Sequence, residues 1–202
     1  DAAFMSRIKT IYSERLHAGQ IAPDPAQAEA IEKLDALAGA MVQSGGFLGF
    51  GRKAAPRGLY IWGEVGRGKS MLMDLFCGAA PVKRKLRVHF HDFMLETHAF
   101  IHEWRQMAPS DRKRHPAYTR DAGDDPIAPA AKRIWGSLDL LCFDEFHVTS
   151  IADAMILGRL FDQLFDNGLT VVATSNRHPS ALYTDGINRQ LFLPFIARLQ
   201  KE

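Results

Sequence analysis

The chain has 202 residues, 47% hydrophobic and 24% charged, with a formal net charge of +2. That is an ordinary globular composition, enough for one substantial core plus a small appendage, and its charge gives no argument for nucleic acid. No apolar run approaches membrane-spanning length, and the two cysteines, Cys77 and Cys142, sit in apolar stretches without motif spacing, which predicts buried thiols in a reducing, cytoplasmic compartment rather than a disulfide.

In chain order, Phe4, Ile8, Ile11 and Tyr12 are spaced for one face of a helix that Gly19 should stop. The chain starts at Asp1 rather than Met, which leaves a removed N-terminal segment open. A second helix has a full start signal: Asp24 as N-cap, Pro25 as first residue and Gln27 as the returning partner of a capping box. Ile31, Leu34, Ala38 and Met41 form its buried face and Gly45 and Gly46 its end. A loop from Gly51 to Arg57 leads to an apolar strand, Leu59, Tyr60, Ile61 and Trp62, followed by a glycine-rich turn and the helical run Met71–Phe76. Leu86–His91 reads as a second strand. Met94–Met107 reads as a helix with Leu95, His98, Phe100, Ile101 and Trp104 mostly inward.

The stretch Ala108–Pro129, with Pro109, Pro116, Pro126, Pro129 and many charges, reads as a mobile insertion. Strands resume at Leu138–Phe143 and Leu169–Ser175, separated by a helix from Ile151 to Asn167. Strand alternating with helix predicts an α/β fold, a parallel sheet covered on both faces. The expected division is an N-terminal helical segment, residues 1–50, and a nucleotide-binding core, residues 51–202.

Gly63, Glu64, Val65, Gly66, Arg67, Gly68, Lys69 and Ser70 form a complete G-x-x-x-x-G-K-[ST] phosphate loop between a strand and a helix. Its backbone N–H groups, with Met71 opening the following helix, should surround the phosphates of ATP. Lys69 should reach the β- and γ-phosphates, and the Ser70 hydroxyl should ligate Mg²⁺. Leu138–Phe143 leads into two acids, Asp144 and Glu145, the pattern of a Walker B element. Asp144 at the strand end would hold Mg²⁺, largely through its coordinated water, and Glu145 would polarise the attacking water. Asn176, ending the last strand, is a candidate γ-phosphate sensor if that strand neighbours the Walker B strand.

Beyond these motifs, the runs Leu-Cys-Phe-Asp-Glu-Phe at 141–146, Ile-Ala-Asp-Ala-Met-Ile-Leu at 151–157 and Phe-Leu-Pro-Phe-Ile at 192–196 resemble the family of ZapE-type cell-division ATPases and mitochondrial AFG-like (lactation-elevated) ATPases of the AAA+ class. The resemblance covers Gly58–Phe76, His89–Met94, Leu140–Asn176 and Leu182–Leu199, and more loosely the first two helices. It implies a three-layer P-loop fold and an Mg²⁺-dependent ATP hydrolase that remodels a protein partner, as a homo-oligomer with shared ATP sites, at the bacterial division ring or in mitochondrial quality control. It also makes Arg189 the candidate arginine finger, with Arg177 and Arg198 as rivals.

Two departures accompany it. Ser150 stands where the family pattern has Asp, and with Asp153 should still cap the helix. The chain ends at Glu202, before the fifth core strand and the helical lid that the resemblance implies, so the first strand is expected to show an unpaired edge.

Weaker signals point elsewhere. His98 and His102 have a metal-binding spacing without a third ligand. Phe93 and Met94 follow the second strand, where some AAA+ motors place a substrate-gripping loop, but core packing is the expectation. A small-molecule phosphotransferase is disfavoured by the Glu145 and Asn176 pair. A nucleotide-dependent nucleic-acid-binding switch would use the cluster Lys83, Arg84, Lys85 and Arg87, which reads instead as a solvated edge.

Overall fold

The computed structural model describes residues 7–44, 55–184, 186, 193, 196 and 197. Ile8 and Tyr12 are buried on one face of helix α1 (Arg7–His17), and the chain leaves it through Gly19 at the left-handed φ of 66°. Helix α2 (Pro25–Ser44) opens on Pro25, with the Asp24 carboxylate accepting from the Ala26 N–H at 2.9 Å. Ile31, Leu34, Ala38 and Met41 are buried as their spacing predicts. Phe4, Gly45 and Gly46 lie outside the described residues.

The sheet contains β1 (Leu59–Trp62), β2 (Lys85–His89), β3 (Leu140–Asp144) and β4 (Thr170–Ser175), all parallel, in the order β1-β4-β3-β2. Helices α3 (Lys69–Ala79), α4 (Phe90–Gln106), α5 (Pro109–Arg114), α6 (Ile127–Trp135) and α7 (Ile151–Asp166) connect them.

Residue alternation in the central strands builds two cores. Leu141, Phe143, Val171 and Ala173 face α4, α6 and α7, whereas Leu140, Cys142 and Val172 face α1, α2 and α3. Both faces of β3 and β4 are thus covered, which is why these strands read as continuous apolar runs. Gly58 allows β1 to meet β4: a Cβ there would lie 1.7 Å from the Val171 carbonyl oxygen. Among the described residues β1 pairs on one side only, leaving the expected open edge.

Several expectations are corrected. The second strand ends at His89, and α4 begins at once on Phe90, because Phe90, Phe93 and Met94 at helical spacing are all buried in the α4-side core. Leu95, expected inward, is exposed.

Residues 108–129 are not a bare insertion but carry α5, a 3₁₀ turn at Arg120–Ala122 and the start of α6. Arg112 ties this stretch to α4 through the carbonyls of Trp104 and Arg105 at 2.9 Å, and Lys132 donates to the Tyr118 carbonyl at 2.6 Å. Ala117, Ile127 and Ala128 are buried, so apolar residues among the prolines anchor what its charges made look like loop.

The two capping boxes are also absent. Gln27 bonds the phosphate-loop turn rather than the start of α2, and Asp153 bonds His98 Nε2 at 2.7 Å, leaving Ser150 alone to cap α7. That pairing accounts for His98, and among the described residues no group of three or more potential metal-ligating side chains occurs.

Candidate functional site

The Gly63–Ser70 loop runs from the end of β1 into α3. Gly66 and Gly68 hold φ of 83° and 78°, values that side chains resist and glycine accepts, so the loop can curl its N–H groups inward. Lys69 lies in the first turn of α3, and its ammonium donates to the carbonyls of Gly63 at 2.7 Å and Glu64 at 2.6 Å. Partial burial pushes Lys69 below the ordinary lysine value of 10.5, because a desolvated ammonium is less stable than a hydrated one. Ser70 and Val65 are exposed on the same loop-and-helix end.

Beside β1 runs β4, and beside β4 runs β3, so the carboxyl ends of the three strands meet in a row. The Gly63 N–H donates to the Ser175 carbonyl at 3.2 Å, tying the loop's first residue to the end of β4. On its other side β4 holds the acidic turn. The Phe146 N–H donates to the Thr174 carbonyl at 2.7 Å, and the buried Ser175 hydroxyl donates to the Phe146 carbonyl at 2.7 Å while accepting from the Arg177 N–H at 3.1 Å.

Asn176 follows directly and is exposed, one residue past the end of the strand that lies between β1 and β3. Glu145 takes the left-handed φ of 54°, an unfavourable setting for a non-glycine residue. It presents a carboxylate that is 81% exposed, with His89 Nδ1 4.0 Å away.

The sequence profile of the AFG1-like ATPase family matches residues 6–202. The chain belongs to the AFG1-like ATPase family. It is 50% identical over 146 residues to lactation elevated protein 1 homolog B of Danio rerio, covering 72% of this chain and 28% of that protein. It is 38% identical over 207 residues to the cell division protein ZapE of Escherichia coli K12, covering 94% of this chain and 51% of that protein. The chain therefore spans about half or less of these relatives' length. Among solved structures, domain III of the Thermotoga maritima replication initiation protein DnaA aligns with a TM-score of 0.57 at 18% identity, over 89% of this chain and 61% of that one. AMPPCP-bound DnaA from Aquifex aeolicus aligns with a TM-score of 0.55 at 18% identity, over 89% of this chain and 46% of that one. These likenesses show the fold, an α/β domain like that of domain III of DnaA.

Three features of this AFG1-like chain escaped the motif reading. Arg87, on β2, reaches across to Asp144: its Nε and one Nη donate to the two carboxylate oxygens at 2.7 and 3.3 Å, and its other Nη bonds Asp74 on α3. Arg84 pairs with Asp139 at 2.7 Å, and Lys85 donates to the carbonyls of Cys77 at 2.6 Å and Ala80 at 3.1 Å. The basic cluster is therefore largely committed to its own edge of the sheet, and only strand register could have revealed that.

Ser175 is the second feature, legible only once β4 is known to lie between the two motifs. The third is a cavity of 510 Å³ beside the loop, walled by Ile21–Pro25 and Gln27 on one side and Gly66–Gly68 and Met71 on the other. The Asp24–Arg67 ion pair at 3.8 Å and the Gln27-to-Arg67 bond at 3.0 Å join its two walls.

Arg189 and Arg198 lie outside the described residues. Arg177 is exposed just beyond Asn176, and its carbonyl accepts from the Tyr60 hydroxyl at 2.8 Å. Cys77 and Cys142 are both free thiols. The Cys77 contact and burial together push the Cys142 thiol well above the ordinary range, as expected of an inert structural cysteine. Among the described residues no helix is long and apolar enough to cross a membrane.

Proposed function

We propose that this protein is an Mg²⁺-dependent ATPase that couples hydrolysis to the remodelling of a protein partner. The observation that carries the reading is the strand order. With β4 between β1 and β3, the phosphate loop, the polar end of β4 and the acidic turn share the carboxyl end of the sheet, where ligands of open α/β sheets bind.

On this reading the backbone of Gly63–Ser70 cradles the phosphates, and Lys69 exchanges its two carbonyl acceptors for β- and γ-phosphate oxygens. Ser70 and Asp144 would hold Mg²⁺, which supplies charge neutralisation across the two phosphates. Asp144 keeps both carboxylate oxygens on Arg87, so it would meet the ion through coordinated water, as suits an ion that keeps waters and phosphates as most of its ligands. Glu145 orients and deprotonates the attacking water, and its left-handed φ aims the carboxylate away from the buried strand. Asn176 senses the γ-phosphate.

A finger arginine from a neighbouring subunit, Arg189 foremost, completes the site in a homo-oligomer. The relative named a cell division protein supports a place in division for the whole protein, acting on a protein substrate from the cytoplasmic side. The committed basic edge argues against a nucleic-acid switch, and the exposed acid beside the loop argues against a phosphotransferase.

The test is ATP turnover per subunit against concentration for the full-length protein, with two variants. Lys69→Ala should lose nucleotide binding. Glu145→Gln should bind as well as wild type and turn over at least about 100-fold more slowly. Turnover should rise with concentration and be partly restored when Arg189→Ala and Glu145→Gln subunits are mixed. Equal loss of binding in both site variants, or a flat profile with Arg189→Ala fully active, would sink the assignment.

A further inference from the structure

Two residues at the start of α2 hold the phosphate loop from outside. Gln27 donates its amide nitrogen to the Arg67 carbonyl at 3.0 Å, and the Asp24 carboxylate lies 3.8 Å from the Arg67 guanidinium. These ties have a firm base. Leu34, Ala38 and Met41 of α2 share one buried cluster with Leu72, Met73 and Phe76 of α3, the helix into which the loop runs. The loop is therefore held by an element packed against the loop's own helix.

The Gln27 bond decides which way one peptide faces. The Arg67–Gly68 peptide is trans, so its carbonyl and the Gly68 N–H point in opposite directions. With the carbonyl turned to Gln27, that N–H faces away from the Gln27 amide. Gly68 is the N-cap of α3, its carbonyl accepting from the Leu72 N–H at 3.1 Å and no side chain capping the helix. The N–H groups of Gly68, Lys69, Ser70 and Met71 thus form the set without intrahelical partners that opens every helix.

The same peptide is easily lost from that set. Gly68 sits at a φ of 78°, and because glycine takes either sign of φ, counter-rotation of the Arg67 ψ and the Gly68 φ can flip the peptide with little steric resistance. A stiffer residue cannot replace it, since a Cβ there would stand 2.6 Å from the Gln27 amide nitrogen. Orientation must come from outside the loop. The Gln27 amide oxygen is buried without a hydrogen-bond partner among the described residues, a cost that an apolar side chain of similar shape would avoid. A polar residue kept at that cost marks a task other than stability.

We infer that Gln27 is a positioning residue of the phosphate loop: its donation to the Arg67 carbonyl keeps the Gly68 N–H facing the bound phosphates. The role rests on the nucleotide-binding reading above and adds to it a residue outside the motif. It is indifferent to the base, because the peptide acts on the phosphate chain alone.

The experiment is equilibrium binding of ADP and of tripolyphosphate, which has neither base nor sugar, to the full-length protein, its Gln27→Met and Gln27→Leu variants, and Lys69→Ala. Both Gln27 variants should weaken the two ligands by the same factor, about 3- to 10-fold, the worth of one hydrogen bond that is made only after the peptide has been reset. Without ligand their Tm should stay within about 2 °C of the wild type, since loss of the bond to Arg67 and loss of the orphaned acceptor offset one another. In turnover, KM for ATP should rise by the same factor with kcat within about twofold, because the Gly68 N–H holds the phosphates alike in the ground and transition states.

Wild-type affinity for both ligands in both variants overturns the role of Gln27. So does a loss confined to ADP, which puts the contact at the base or sugar, and so does a loss accompanied by a fall in Tm beyond that range, which makes Gln27 a packing residue of α2. Failure of the wild type to bind ADP, or Lys69→Ala binding like wild type, overturns the nucleotide-binding reading itself.

Discussion

Arg87→Met should destabilise the protein through Asp144, a residue whose chemistry is otherwise sought only in catalysis. The Asp144 side chain is 11% exposed and that of Arg87 30% exposed, and two hydrogen bonds join them. Removing one partner of a fully buried pair costs about 3–5 kcal/mol, because a charge is left unpaired in a poorly solvated place. Here the arginine is partly solvated and water can reach some of the vacated space, which lowers the figure to about 2 kcal/mol. The Arg87–Asp74 pair, with Asp74 59% exposed, adds about 0.5 kcal/mol. For a chain of this size the sum corresponds to a fall in Tm of about 5–10 °C.

Thermal unfolding without nucleotide or metal, at neutral pH and moderate salt, measures it. A double-mutant cycle isolates the pair: in an Asp144→Asn background, Arg87→Met should cost less than about 1 kcal/mol, since no buried charge remains to be stranded. A full loss in that background, or no loss in the wild-type one, would refute the argument that Arg87 acts by neutralising Asp144.

Ser175→Ala should cost about 1–2 kcal/mol, because the hydroxyl is buried with both a donor and an acceptor satisfied. If that hydroxyl holds the acidic turn in place, ATP turnover should fall more than binding affinity; denaturant unfolding and steady-state kinetics read the two effects. For Lys69, burial has already lowered the ammonium below 10.5, and bound phosphates should draw it back up. Nucleotide binding then takes up a proton in the window between the lowered value and 10.5, so affinity declines as pH rises through it. In the same window the unfolded chain holds the proton more tightly than the free folded protein, so stability without nucleotide rises with pH. Calorimetric binding in two buffers of different ionisation enthalpy checks the first sign, and denaturant unfolding of wild type and Lys69→Ala across the window checks the second.

The local order of residues already contained the phosphate loop, the acidic strand end and the type of nearly every element, because these depend on contiguous signals. Glycines must stand where the backbone takes positive φ, as at Gly66 and Gly68. A strand buried on both faces must be apolar throughout, as at Leu140–Phe143. Caps and breakers act over three or four residues, and so Pro25 and Gly19 could be placed.

Where sequence reading failed, a local signal had a distant competitor. Gln27 has the position of a capping-box residue, yet its amide is taken by a carbonyl 40 residues away. Asp153 likewise serves His98 rather than its own helix end. The prolines and charges of residues 108–129 concealed the buried alanines that pin that stretch to α4 and α6, since small apolar side chains carry little periodic signal. Strand order decided the rest. A sequence gives the succession β1 to β4, but only the folded sheet sets β4 between the two motifs, lets Ser175 hold the acidic turn and brings Arg87 across to Asp144. Those contacts depend on register between strands far apart in the chain, a property that no window of neighbouring residues encodes.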